Sequence, residues 1–203
     1  MLIVIGGHSR NIGKTSVVAG LIAALPEMHW TAVKITQYGH GVCSVNGKAC
    51  HCAADEHRWA ITEERDRSGK SDSSRYLVAG ATRSLWVRTK QGRLEEAIPT
   101  LEKKLARTEN VIMESNSVLK FLQPDLYLPV LDPATADFKA SSREYLNRAS
   151  AIILHEGSKN AKPVWDGVSL HEVGDRPVFR ITAPNYVTTE LVGFVQQRIG
   201  TRN

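Results

Sequence analysis

Residues 3–18 read IVIGGHSRNIGKTSVV, and this stretch decides the fold. An apolar run suited to a buried strand passes through Gly6 and Gly7 into a short loop, and Gly13-Lys14-Thr15 opens a helix-compatible segment. A helix begins with backbone N–H groups that have no partner of their own, and glycine lets the main chain wrap closely around an anion. Lys14 adds a positive charge where that anion lies, and Thr15 offers a hydroxyl suited to a magnesium ion carried by phosphate. The stretch therefore reads as a polyphosphate-binding turn. Its candidate contacts are Gly7, His8, Ser9, Arg10, Asn11, Ile12, Gly13, Lys14, Thr15 and Ser16, with the amides of residues 8–14 directed at the phosphates.

Five residues separate Gly7 from Gly13, one more than in the usual Gly-x4-Gly-Lys-Thr P-loop, and His8 stands where the shorter pattern has glycine. This longer loop resembles that of dethiobiotin synthetase and the cobyric acid synthase group, members of the SIMIBI class of P-loop NTPases. The resemblance implies a three-layer P-loop NTPase sandwich that takes a nucleoside triphosphate, GTP or ATP, with Mg2+.

A chain of 203 residues suits a single α/β domain over 1–203, large enough for a sheet covered on both faces. A 42% hydrophobic and 23% charged composition is ordinary for a globular protein, and no apolar stretch approaches a membrane span. The N-terminal LIVIGG reads as a strand, with no basic leader or cleavage site, so cytoplasmic residence is expected. The net charge of +5 is spread along the chain and favours anionic ligands such as nucleotides, or an acidic partner. Aromatics, at 6%, do not interleave with arginines, which argues against a nucleic-acid platform.

Apolar runs alternate with helix-like segments, the pattern of βα units around a mostly parallel sheet with helices on both faces. Strands are predicted at 2–5, 31–36, 84–88, 110–113, 126–131, 151–154 and 177–181, and helices at 13–25, 71–79, 94–107, 141–148 and 188–198. In the third helix Leu94, Ile98, Leu101 and Leu105 recur at helical spacing. Ser141 and Glu144 read as a capping box for the fourth. Pro129, inside LYLPVLD, cannot donate to a ladder and predicts an edge, a bulge or a shortened strand. The polar stretch 37–70 reads as an irregular insertion.

Ligands of open α/β sheets gather beyond the carboxyl ends of the strands. Lys34, in AVKIT, lies there as a phosphate contact or as a lysine snorkelling from a strand end. Glu114, after NVIM, can hold Mg2+ directly or through water, or is a solvated loop acid. Lys14, Lys34 and Glu114 are the candidate catalytic residues, and Thr15 with Glu114 the magnesium ligands. Asp132 followed by proline reads as a turn or a site, with Asp137 and Lys139 close behind. The loop His155–Asn160 falls where a base would be recognised, and it lacks Asn-Lys-x-Asp, which leaves GTP and ATP both open.

With Lys14, Lys34 and GKSDSSRYLVAGA at 69–81 on view, the first 120 residues resemble the molybdopterin-guanine dinucleotide biosynthesis B protein family. That resemblance implies GTP binding, a homodimer, and a protein partner in cofactor biosynthesis. It also places Asp72 and Arg75 near the phosphates or a substrate. Read from the residues alone, Asp72 caps a helix over 73–79 and Gly80 stops it.

The cysteines are Cys43, Cys50 and Cys52, with His40, His51 and His57 nearby. Three thiolates and one imidazole, that of His40 or of His57, would complete a tetrahedral Zn2+ set, the alternative being free, partly buried thiols. Two functions follow from the whole: an accessory NTPase of cofactor maturation, or an ATP-dependent ligase or kinase of the dethiobiotin synthetase type.

Overall fold

The computed structural model describes residues 1–39, 58–156, 165, 168 and 174–200. The opening apolar run forms β1 (Leu2–Gly7), and Lys14–Ala24 form α1. Next come β2 (Thr31–Tyr38), β3 (Trp59–Glu63), α2 (Asp72–Val78), β4 (Arg83–Lys90) and α3 (Leu94–Leu105). The remainder is β5 (Val111–Glu114), β6 (Leu126–Leu131), α4 (Ala140–Tyr145), β7 (Ile152–His155), β8 (Val178–Ile181) and α5 (Thr189–Gly200).

The strands form one sheet in the order β3-β4-β2-β5-β1-β6-β7-β8, with every ladder parallel except that between β3 and β4. On one face Ile3 and Ile5 pack under Val17, Val18, Leu21 and Ile22 of α1, with Tyr76 of α2 and Leu191 and Val195 of α5. On the other, Val4, Val33, Leu85 and Met113 meet Leu94, Ala97, Ile98 and Leu101 of α3, together with Tyr145 of α4. The expected α/β sandwich, a mostly parallel sheet with helices on both faces, is the fold. Alternation of side chains across each strand supplies the two apolar faces, and the helices cover them.

Three local readings change. The stretch 37–70 is not irregular throughout: β2 runs on to Tyr38, and WAITE forms the antiparallel edge strand β3, whose Trp59 and Ile61 pack against the α3-side core. The capping box at Ser141 and Glu144 does not form, because α4 starts one residue earlier and Lys139 takes the cap position, its carbonyl accepting from Ser142 and Arg143. Pro129 sits in an interior strand, not at an edge. Tyr127 exchanges bonds with Ser150 on the β7 side, so two residues on Pro129 turns its nitrogen the same way. The β6–β7 ladder begins only at Val130, and the proline interrupts nothing.

Strands β2, β5 and β1 lie side by side and parallel, so their carboxyl ends share one edge of the sheet. Lys34 is in register with Glu114, and Glu114 with Ile5, immediately before the two glycines that open the loop. Register alone brings the predicted site residues of three strands together.

Candidate functional site

The loop between β1 and α1 is held at both ends. Asn116 grips its start: Gly7 N–H donates to Asn116 Oδ1 at 2.8 Å, and Asn116 Nδ2 donates to the Gly7 carbonyl at 2.8 Å. Gly6 permits that approach, since a Cβ there would lie 2.1 Å from Asn116 Oδ1 and 2.7 Å from the Tyr127 ring. At the far end Gly13 takes a left-handed φ of 83°, and a Cβ would come within 2.4 Å of the Tyr186 ring. Asn116→Ala is expected to destabilise the protein by about 2–3 kcal/mol, because the N–H and the carbonyl of buried Gly7 both lose this partner. The midpoint of urea unfolding checks this, and an unchanged midpoint would contradict the clamp.

His8 and Ser9 do not face the ligand side. The His8 amide donates to the Val130 carbonyl at 3.3 Å, and the fully buried imidazole packs against Phe138 and Trp165. Ser9 Oγ donates to Asp137 Oδ2 at 2.8 Å. The run of amides expected to serve phosphate at residues 8–14 therefore loses its first member to the sheet. From residue 10 to residue 16 no amide donates to the backbone of a described residue, and α1 begins its own ladder only with Val17 N–H to the Gly13 carbonyl at 2.9 Å. Ile12 turns its side chain into the α1-side core, and its carbonyl accepts from His155 Nε2 at 2.9 Å. Arg10 and Asn11 are exposed and line the cavity above the loop.

Around Glu114 the polar groups converge. Its carboxylate is buried and receives Thr15 Oγ1 at 2.7 Å and the Tyr76 hydroxyl at 2.5 Å on Oε2, and Lys34 Nζ at 2.5 Å on Oε1. Lys34 Nζ also lies 2.7 Å from Asp72 Oδ2 and 3.4 Å from Thr15 Oγ1. Asp72 is the first residue of α2 and does not cap it; Ser71 does, its Oγ accepting from Ser74 N–H at 3.1 Å. Gly80, at φ 108°, ends that helix as expected. Arg75 Nη2 donates to Ser16 Oγ at 3.1 Å and ties α2 to the first turn of α1. Burial and the Glu114 charge push the Tyr76 hydroxyl well above its ordinary pKa, so it serves as a donor.

Lys14 Nζ reaches back over the loop to the Ser9 carbonyl at 2.5 Å. Burial lowers its pKa to about 8; Glu114 opposes the shift, and the neighbouring Lys139 and Lys34 add to it. The ammonium is thus held in a partly desolvated position among like charges, which an anion relieves.

These residues line a cavity of about 1100 Å³ that runs from Tyr186, beside His155, across the loop to Thr36, Trp86 and Gln91. Thr15, Glu114 and Asp72 present hard oxygen donors of the kind Mg2+ takes, now bridged by the Lys34 ammonium, which a bound ion would displace toward the cavity. The cysteine and histidine set, Cys43, Cys50, Cys52 and His40, lies outside the described residues, as does most of the loop after His155. Among the described residues no group of three or more His, Cys, Asp or Glu is placed to hold a metal, and no helix is long and apolar enough to cross a membrane.

The sequence reading missed Tyr76 and Asn116, and it noted Lys139 behind Asp132 without giving it a role. The first had a usable signal, since Tyr76 follows Asp72 by one helical turn and so shares its face. Asn116 carried none, because its role depends on a contact made across 109 residues of chain.

No family model matches this sequence, and no curated protein matches it. Among solved structures, HypB from Helicobacter pylori in complex with nickel is similar over 98% of this chain and 86% of its own, at 11% identity and a TM-score of 0.49. LpxK from Aquifex aeolicus in complex with ATP is similar over 88% of this chain, at 16% identity and a TM-score of 0.46. This chain spans 53% of that protein's length.

Proposed function

We propose that the chain is a P-loop protein that binds GTP or ATP with Mg2+ and works as an accessory NTPase in the maturation of a cofactor of the molybdopterin-guanine dinucleotide type. The observation that carries this reading is the meeting of three elements at one point: Lys14 and Thr15 at the head of α1, Glu114 at the end of β5 and Lys34 on β2. The amides from Arg10 onward and the Lys14 ammonium receive the β- and γ-phosphates. Thr15, Glu114 and Asp72 hold the magnesium ion, which when bound neutralises phosphate charge. Lys34 faces the transferring phosphoryl group, Arg75 fixes the first turn of α1 through Ser16, and the base lies toward Tyr186 and His155.

The size of the cavity favours a second reading. At about 1100 Å³ it exceeds the usual span of a single-ligand pocket, and the lobe past Lys34 toward Trp86 and Gln91 has room for an acceptor. A ligase or kinase of the dethiobiotin synthetase type would need such room for the molecule it activates. A protein partner and a homodimer belong to the first reading, a small carboxylate or amine to the second.

A thermal-shift series with ATP, GTP and their magnesium complexes tests the shared part. The expected result is a rise in melting temperature with one nucleotide, larger with Mg2+; no rise with any of them contradicts nucleotide binding. Binding also has a pH signature. An anion raises the Lys14 pKa from about 8, so complex formation takes up a proton above that pH. Affinity should hold below pH 8 and fall as the pH climbs beyond it, which calorimetry in buffers of different ionisation enthalpy will register.

A further inference from the structure

Of the three lysines at the cavity, two have their charge or their reach committed. Lys34 is shared by Glu114 and Asp72, and Lys14 is bent onto the Ser9 carbonyl. Lys139 differs. It precedes α4 on the loop that follows β6, is only partly exposed, and lines the cavity with Arg10, Lys14 and Lys34. Among the described residues no carboxylate lies within ion-pair distance of it. The nearby Asp137 has turned one carboxylate oxygen to the Ser9 hydroxyl.

The position of Lys139 is built. His8 fastens the 132–139 loop to the phosphate-binding turn through both ring nitrogens: Nδ1 donates to the Asp137 carbonyl at 2.7 Å, and Nε2 accepts from Asp132 N–H at 2.9 Å. The His8 carbonyl takes Lys139 N–H at 2.9 Å, and Phe138 stacks on the imidazole at 5.0 Å. Burial lowers the His8 pKa, which keeps the ring in the neutral form this pattern requires. The residue that replaces a loop glycine is thus a latch, and what it brings to the cavity is a lysine.

We infer that Lys139 is a further phosphate-binding cation, placed by the His8 latch against the terminal phosphate of the bound nucleoside triphosphate. The inference rests on the nucleotide reading above. A cation held among Arg10 and Lys34, with no carboxylate of the described residues in ion-pair contact, is stabilised by an anion between them, and polyphosphate is the anion this cavity is built to take. The end of the chain follows from the charges it feels. Besides Arg10 and Asp137 these are Glu114, at the carboxyl end of β5, and Lys34, its register partner midway along β2, on the side of the loop away from Tyr186. Burial and the Arg10 charge lower the Lys139 pKa, in keeping with that crowding.

The test is calorimetric titration of wild type, Lys139→Met and Lys139→Arg with the β,γ-imido analogues of GTP and ATP and with GDP and ADP, all with magnesium. Lys139→Met should lose about tenfold or more in affinity for the triphosphate analogue, the scale of one charged hydrogen bond. It should keep its diphosphate affinity within about twofold and melt near wild type, and Lys139→Arg should recover most of the loss. Equal loss for both ligands, or none for either, overturns the inference while leaving the nucleotide reading intact. Failure of wild type to bind any of the four overturns both.

Discussion

Lys14→Met is expected to remove tight nucleotide binding without unfolding the protein. The ammonium reaches back across the loop, and a hydrogen bond to a charged partner contributes about 1.5–3 kcal/mol, so affinity should fall roughly 10–100-fold. The effect on stability has the opposite sign. With a folded-state pKa of about 8 against an ordinary 10.5, the folded protein holds the charged form less readily than the unfolded chain does. That destabilisation is fully present below pH 8 and is relieved as pH rises from 8 toward 10.5. At pH 7 and without added nucleotide the methionine variant should therefore melt at or above wild type, and the gap should narrow with rising pH. A variant that binds nucleotide as wild type does, or that melts well below it at pH 7, would contradict the placement of Lys14.

Glu114→Gln should be costly in both respects. Three donors, from Thr15, Tyr76 and Lys34, converge on the carboxylate, and the amide answers them with one acceptor and an N–H2 group that opposes the others. Breaking a buried pair from one side costs about 3–5 kcal/mol, which urea unfolding will resolve. On the proposed reading Glu114 is also a magnesium ligand, so the dependence of nucleotide affinity on magnesium should largely disappear. Full stability together with an unchanged magnesium dependence would mean that Glu114 neither holds the cluster together nor meets the metal. Glu114→Ala offers a second comparison, since it removes the opposing N–H2 group along with the charge.

What could be read in advance and what could not divides by distance along the chain. The β1–loop–α1 unit is local, and its glycines, lysine and threonine announce themselves at fixed spacing. Glu114 was legible because it ends an apolar run; Lys34 reads as a strand end but lies midway along β2, which runs on to Tyr38, and only its register with Glu114 brings it to the site. The capping of α2 was misread by one residue, Ser71 for Asp72, and this freed Asp72 to pair with Lys34. The His8 latch joins residues 129 positions apart and the Asn116 clamp residues 109 apart, and no local pattern encodes either. Strand β3 escaped notice for a related reason. WAITE is five residues long in a polar stretch, and it becomes a strand through its pairing with β4.

The Asn116 clamp, the His8 latch and the left-handed turn at Gly13 all act on the loop that opens α1, and each fixes its shape before any ligand arrives. A preorganised loop of this kind holds phosphate without having to refold around it. The most direct measurement is the crystal structure of the protein grown with magnesium and whichever nucleotide raises its melting temperature. The account predicts the β-phosphate cradled by the amides at the head of α1, with the Lys14 ammonium swung from the Ser9 carbonyl onto a phosphate oxygen. A nucleotide bound elsewhere, with Lys14 still on Ser9, would contradict it.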